Sequence, residues 1–559
     1  MTLIRRTLIQ GLVPAFFFIV SCCPDEVYIR DLGVIPDTGQ DVTASFRNAL
    51  EHCRDEGVKV LKLEQGVYDF WPEHASDRDI FVSNTSSETE CPSKVKHIGL
   101  LIEDMRNFTI DGDGATLIFH GKQSMIAIIH SKDITLRNFH IDCLRPCGSE
   151  MIIDRAEAGE VVLRFNPDSW YEINENGQVD LVGEGWKTEH PHCVEYDPEQ
   201  DRMYHTRHWD ILQECQAREL EHGLVSFAVE ETDSYKVGNI ITVRDRYRDE
   251  VGILNLENEG VIIEDVGIHY LHAIGVVSQF SKDVTMRRVC CEPREGSGRI
   301  LASSADFFHF SGCAGKVRII DCRFSGAQDD PVNIHGTYLR VEDIPANDKV
   351  RVRFMHHQTY GMQAFWPGDS VSFVSSASLA TKAKTAVKCV ERLNDYEVLL
   401  TLEDAVPASI IPIEDVVENL TWTPEVEIRG CRFTRTSTRG TLVSTPRKVV
   451  IENNDYIRTG MSAILISGDA NGWYESGAVK DVIIRNNRFI DCARNGGHHD
   501  AVISIDPTNR LNDPDCPVHS GIRIIGNVFE TWGNDPVYAY SAGDILMEGN
   551  VVHISHNAS

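Results

Sequence analysis

Val317-Arg-Ile-Ile-Asp-Cys-Arg-Phe324 recurs as Val426-Glu-Ile-Arg-Gly-Cys-Arg-Phe433. Val449-Val-Ile-Glu-Asn-Asn-Asp-Tyr456 recurs as Val482-Ile-Ile-Arg-Asn-Asn-Arg-Phe489, and Ile522-Arg-Ile-Ile-Gly-Asn-Val-Phe529 as Ile545-Leu-Met-Glu-Gly-Asn-Val-Val552. Each unit alternates apolar residues with period two, turns on a polar or small pair, and resumes on an aromatic or aliphatic residue, which is strand, tight turn, strand. Asp265 to Arg288, Cys431 to Asn454 and Asn527 to Asn550 are each 23 residues apart. Gaps of 31 (Asn107 to Asn138), 33 and 40 read as the same unit carrying loop insertions. Leucine-rich repeats share this period but need a regular leucine pattern, and propeller blades are nearly twice as long. The fold that remains is all-β: a right-handed parallel β-helix. Asn138, Asn454, Asn487, Asn527 and Asn550 share a turn phase, where Asn tolerates the left-handed backbone and can bond its counterpart in the next coil.

A chain of 559 residues exceeds one ordinary core but suits a solenoid growing in one dimension. The rhythm breaks near 155–250 and 340–425, where runs such as Glu160–Phe165, Lys236–Asp245 and Arg351–Met355 alternate without the Asn phase. These stretches read as two small antiparallel β-barrels inserted in the solenoid. Tyr235-Lys-Val-Gly-Asn and Trp366-Pro-Gly-Asp look like matching turns within them. The remaining helical parts are then 22–154, with a capping helix at Val42–Arg54, 251–339 and 426–559. A cap is needed because the end of a solenoid exposes an unpaired edge.

Hydrophobic residues are 42% and charged residues 25%, excluding disorder and a polytopic membrane protein. A net charge of −30 without a basic run excludes a nucleic-acid partner, and weighs against tight face-to-face self-association. Residues 1–21 form an export leader: Arg5 and Arg6 precede an apolar stretch from Leu8 to Val20. Ile19-Val20-Ser21-Cys22 resembles a lipobox, which predicts lipidation at Cys22 and a membrane anchor at the cell envelope; a plain signal peptide is the alternative. None of the 16 cysteines has zinc spacing, and no metal or cofactor is expected. They read as small buried residues of the stack, with room for a disulfide or two.

Side chains at equal phase in successive coils lie about 4.8 Å apart, so a catalytic set should appear as carboxylates one rung apart. Asp306 and Asp329 are separated by 23 residues, and Asp330 adjoins. Crowded like charges keep one carboxyl protonated beside ionised ones, the apparatus for cleaving a glycosidic bond. Calcium binding and a solvated Asp-Asp-Pro turn are the competing readings. His309, Asn333 and His335 flank the trio as candidate sugar ligands or, equally, as ladder residues. Arg439 falls in the next coil once the second insert is removed. Trp473 and Glu475, in a Gly-rich loop, are candidates for a sugar's C–H face and its hydroxyls.

The strings Phe70-Trp-Pro-Glu-His-Ala75, Phe81–Glu88, Gly326–Thr337, Thr445–Lys448, Gly460–Ile466 and Gly472–Val479 resemble glycoside hydrolase family 110 over nearly the whole mature chain. The resemblance implies an exo-acting, inverting, metal-independent α-1,3-galactosidase acting on blood group B structures and, for some members, linear Gal-α-1,3-Gal. It implies a β-helix with inserted barrels, and a catalytic set of Asp306, Asp329 and Asp330. By similarity to polygalacturonases, Asp329 is the expected general acid, with Asp306 and Asp330 holding the water. Cys143 departs from the family pattern, where a Trp is expected. An enzyme on pectin-like polymers would need a cationic groove with Gly-His-Gly and Arg-Ile-Lys strings, absent near the trio. A non-catalytic glycan-binding surface protein would not need the trio.

Overall fold

The computed structural model describes residues 25–85, 87–91 and 93–555; the leader and Cys22 lie outside them. Coils stack in parallel along one axis, each contributing strands to two walls. One wall runs through Arg106–Phe119, Lys132–Cys143, Glu259–Ile268, Lys282–Arg287 and Ala314–Ile320, then Glu425–Arg429, Lys448–Glu452, Asp481–Arg485, Ile522–Ile525 and Ile545–Glu548. The other includes Val251–Leu256, Ile274–Gln279, Phe308–Ser311, the start of Val332–Ala346, Thr441–Val443 and Ile464–Ile466. The quoted repeats pair residue for residue: Val317 with Val426, Phe324 with Phe433, Tyr456 with Phe489, Ile522 with Ile545. Helix Thr43–Glu56 covers the first coils with Phe46, Leu50 and Cys53 facing inward.

Two internal ladders follow from this register. Phe324, Phe433, Tyr456, Phe489 and Phe529 stack with centroids 4.4–5.3 Å apart. The buried Asn454, Asn487 and Asn527 and the half-buried Asn550 bond down the stack, each of the first three donating from Nδ2 to the next Oδ1 at 2.9–3.0 Å. The left-handed residue is the one before: Asn453, Asn486, Gly526 and Gly549 have φ between 54° and 64°. Asn138 has φ 60° and belongs to this left-handed position, not to the ladder. Asn107 pairs in phase with Asp133, so its 31-residue spacing to Asn138 joins two different turns. Cys322 and Cys431 extend the ladder position, and the fourteen described cysteines are all thiols.

The first insert opens with Gly148–Glu157, ahead of residue 155. It forms a seven-stranded antiparallel sheet whose core also takes in Val179 and Leu181 from a three-stranded sheet. In the second, Val332–Ala346 runs straight out of the solenoid. It then closes a six-stranded barrel with Lys349–Arg353, Glu397–Leu402, Thr381–Arg392, Ser370–Ser375 and Asp415–Asn419. Gly238 and Gly368, at φ 93°, make the matching turns. The turn after Pro191–Asp197 is latched to the later coils: Asp201 accepts from Arg435 (3.1 Å) and Arg458 (2.9 Å), and Arg202 pairs with Asp491. Among the described residues no helix is long and apolar enough to cross a membrane.

Candidate active site

A cavity of about 190 Å³ opens on the wall carrying Phe308–Ser311, and Asp306, Asp329, Asp330, Asn333, Arg439, Trp473 and Glu475 line it. The backbone of Asp306 is clamped between rungs. Its carbonyl accepts from Gly275 N–H (3.0 Å), and Phe307 N–H donates to the carbonyl of Asp330 (3.3 Å). A Cβ on Gly275 would sit 2.3 Å from the Asp306 carbonyl oxygen, so the rungs pass this closely only over glycine. Ser303 pairs with Ala327 and Phe308 with Val332, an offset of 24. Asp306 therefore lies across from Asp330. The 23-residue spacing to Asp329 missed the register by one residue, though the three carboxyls do share one patch.

Asp330 is held by Arg439. Nε and the backbone N–H donate to Oδ1 at 2.8 and 3.1 Å, Nε and Nη2 to Oδ2 at 3.0 and 2.6 Å. Burial pushes this carboxyl up to about 7 even though Arg439 pulls the other way, while the carboxylate keeps the guanidinium firmly charged. Four contacts from one residue make this an ion pair. Asp329 Oδ2 receives Nη2 of Arg248 at 3.1 Å, and Arg439 lies 3.7 Å from Oδ1. Burial works against its charge, but Arg248, Arg439 and Arg244 outweigh it and hold Asp329 below the usual carboxylate range. Asp306 is the reverse: burial and then the charge of Asp329 push it well up. Asp306 is thus the carboxyl pushed up furthest and Asp329 the one held low, while the sequence analysis expects the general acid at Asp329. The two guanidinium groups already bring the positive charge that a calcium ion would supply.

His309 and His335 do not face the sugar space. Both are buried, with Asp306 Oδ2 2.9 Å from His309 Nδ1 and the two Nε2 atoms 3.1 Å apart. His335 Nδ1 donates to the carbonyl of Gly336 at 2.6 Å. Their rings are committed behind the cavity wall. Asn333, across from His309, does line the cavity, with its Oδ1 unpartnered. Trp473 is 43% exposed and leans on His356 of the second insert, centroids 4.1 Å apart. Its backbone N–H donates to Asp469 Oδ2 at 2.6 Å. Glu475 is fixed by strand pairing with Thr337 and by Asn84 Nδ2 at 3.4 Å.

The sequence reading missed Arg248, Asn84 and Asp469. Asn84 sits inside the quoted Phe81–Glu88 string, and Arg248 ends the arginine-rich Arg244–Arg248 run, the only signals for either. Cys143 is buried, its thiol turned to the carbonyl of Arg145.

The sequence matches the families described as GLAA-B beta-barrel domain I over residues 149–241 and GLAA-B beta-barrel domain II over residues 349–417, the two inserts. Alpha-1,3-galactosidase A of Bacteroides fragilis is 46% identical over 545 residues, 97% of this chain and 90% of that protein. The chain belongs to the α-1,3-galactosidases of glycoside hydrolase family 110. Alpha-1,3-galactosidase A of Bacteroides thetaiotaomicron is 34% identical, over 94% of this chain and 91% of that one. Alpha-1,3-galactosidase B of the same organism is 32% identical, over 94% and 86%.

Proposed function

We propose that this α-1,3-galactosidase removes one terminal galactose at a time, with inversion, from branched blood group B-type ends and from linear Gal-α-1,3-Gal. The observation that carries this reading is a small cavity in which three carboxyls and two arginines meet beneath an exposed Trp473. A pocket of about 190 Å³ is on the scale of one sugar ring, which suits attack at a chain end. Asn84, Asn333, Asp469 and Glu475 offer polar atoms for its hydroxyls, and Trp473 an apolar face.

The roles are assigned by which carboxyl burial raises furthest and which the arginines hold low. Asp306 donates its proton to the leaving oxygen as the C1–O bond breaks. Water attacks C1 from the opposite face, and ionised Asp329 takes the water's proton. Asp330 positions Arg439 against Asp329. A second reading, with Asp329 as acid, is favoured by exposure: 28% of the Asp329 side chain is accessible against 5% of Asp306. α-Galactosyl fluoride separates the two, because its leaving group needs no proton. If Asp306 is the acid, Asp306→Asn cleaves the fluoride nearly as fast as wild type but fails on glycans; the same behaviour in Asp329→Asn instead assigns the acid to Asp329. The substrate range is tested by galactose release from blood group B trisaccharide and from the linear disaccharide. Release from neither overturns the reading.

The lipidation at Cys22 and the cell-envelope location also belong to this proposal, supported by the leader sequence alone. Cys22→Ser should move the enzyme from the membrane fraction to the soluble one; continued membrane association would refute it.

A further inference from the structure

Asn84 lines the cavity from a turn that belongs to neither wall, in the segment 81–85. The solenoid pins this segment through Gln279, whose Oε1 accepts from Ser83 N–H at 2.8 Å and whose Nε2 donates to the carbonyl of Phe81 at 3.0 Å. The second insert pins it through Thr359, which is buried, as Asn84 is. That contact is reciprocal. Asn84 N–H donates to Thr359 Oγ1 at 3.3 Å, and the hydroxyl donates back to Asn84 Oδ1 at 2.8 Å. Ser83 Oγ lies 3.4 Å from the same Oδ1, and on the other side of the amide Nδ2 donates to Glu475 Oε1 at 3.4 Å. Reversing the amide would set Oδ1 against the Glu475 carboxylate and leave the Thr359 hydroxyl between two N–H groups of Asn84, with no acceptor there for its own proton.

We infer that Thr359 of the second insert is a positioning residue for the galactose: it fixes the amide of Asn84 so that Nδ2 presents an N–H to the sugar beside the Glu475 carboxylate. This rests on the α-galactosidase reading above and deepens it. The amide nitrogen carries two protons, and Glu475 takes one. The other is not drawn away by Thr359 or Ser83, because both hydroxyls lie at Oδ1. A donor and an acceptor side by side on the wall suit neighbouring hydroxyls, of which one receives a hydrogen bond and the other gives one. The same loop of the insert, residues 356–359, supports Trp473, which leans on His356 with centroids 4.1 Å apart. Thr359 N–H donates to the carbonyl of His356 at 3.1 Å and so ties the two ends of the loop together. One loop of the inserted barrel therefore sets both the polar wall and the apolar face of a pocket whose three aspartates belong to the solenoid. The assignment is the same whichever aspartate protonates the leaving group.

The test is KM and kcat on an α-1,3-galactoside. Thr359→Val keeps the shape and removes the hydroxyl, so KM should rise about fivefold with kcat within about twofold of wild type. Thr359→Ser keeps the hydroxyl and should stay within about twofold of wild type in both. In Asn84→Ala the amide is gone, and adding Thr359→Val should change KM by less than about twofold; a hydroxyl that merely stitched the insert to the solenoid would act with or without the amide. An unmoved KM in Thr359→Val, a Thr359→Ser enzyme no better than Thr359→Val, or a full further effect in Asn84→Ala overturns the inference. A crystal structure of the wild-type enzyme with galactose decides it without a variant. The Asn84 amide is expected within hydrogen-bonding distance of a galactose hydroxyl, and an amide out of reach of every hydroxyl refutes the inference. A wild-type enzyme that releases no galactose refutes the functional reading and this inference with it, whereas each result above, obtained on an active enzyme, bears on Thr359 alone.

Discussion

Arg248→Gln probes the charge balance of the site directly. Arg248 Nη2 lies 3.1 Å from Asp329 Oδ2, and the guanidinium is only 12% exposed. Opposite unit charges about 4 Å apart interact by about 4 kcal/mol at an effective dielectric constant of 20. Arg439 remains 3.7 Å away, and Asp329 opens onto the cavity, so water replaces much of the lost interaction. A third to a half of the gross figure surviving leaves about 1.4–2 kcal/mol, or 1 to 1.5 pH units at Asp329. The sign is upward: removing the cation raises a carboxyl that it held low. If Asp329 is the base, activity requires its ionised form, and the acid limb of kcat/KM rises by that amount; the alkaline limb, set by Asp306, also rises because Arg248 acts on that carboxyl too. The profile reports the free enzyme, so substrate affinity does not disguise the shift. If Asp329 is instead the acid, the alkaline limb moves up. A profile with both limbs unmoved would refute the electrostatic reasoning altogether.

Asp306→Asn, Asp329→Asn and Asp330→Asn should each lose most turnover on glycans while circular dichroism and melting stay near wild type, and a variant with near wild-type hydrolysis would drop from the catalytic set. Trp473→Ala should raise KM about tenfold with kcat within a few-fold, because the ring supplies a binding face and no proton. Phe433→Ala removes a fully buried ring from the middle of the aromatic ladder and should cost about 3–5 kcal/mol in chemical denaturation. His120 is buried between Glu184 (2.9 Å) and Asp69 (3.1 Å); burial opposes its charge, but the two carboxylates prevail and raise it. Its stabilising effect is therefore fully present below about pH 6.5 and lost as pH rises through the raised folded value, and His120→Gln should flatten that part of the stability profile.

The solenoid was legible because its physics is periodic. Each coil repeats the same strand, turn and strand, so Val317 predicts Val426 and Asn527 predicts Asn550 without any knowledge of space. Phase alone does not say which residue of a turn is left-handed, and Asn138 was grouped with the ladder for that reason. The trio was legible through the same periodicity, with a one-residue error, because the wall carrying Asp306 has an offset of 24 in this coil. What the sequence could not show were contacts made across the inserts. Arg248 reaches Asp329 from 81 residues away at the end of the first insert, and Asn84 reaches Glu475 across 391 residues, with no repeat to relate them. Direction was hidden too: His309 and His335 sit beside the trio in the sequence, but their imidazoles point into a buried chain and not to the sugar.

The most direct test of the account is proton NMR of the galactose anomer first released from linear Gal-α-1,3-Gal, recorded before mutarotation. The proposed pairing of one proton-donating and one water-activating carboxyl predicts β-galactose as the initial product. Initial α-galactose would mean a covalent galactosyl intermediate and would contradict the roles assigned here, and no galactose from this disaccharide would remove the linear substrate from the proposal.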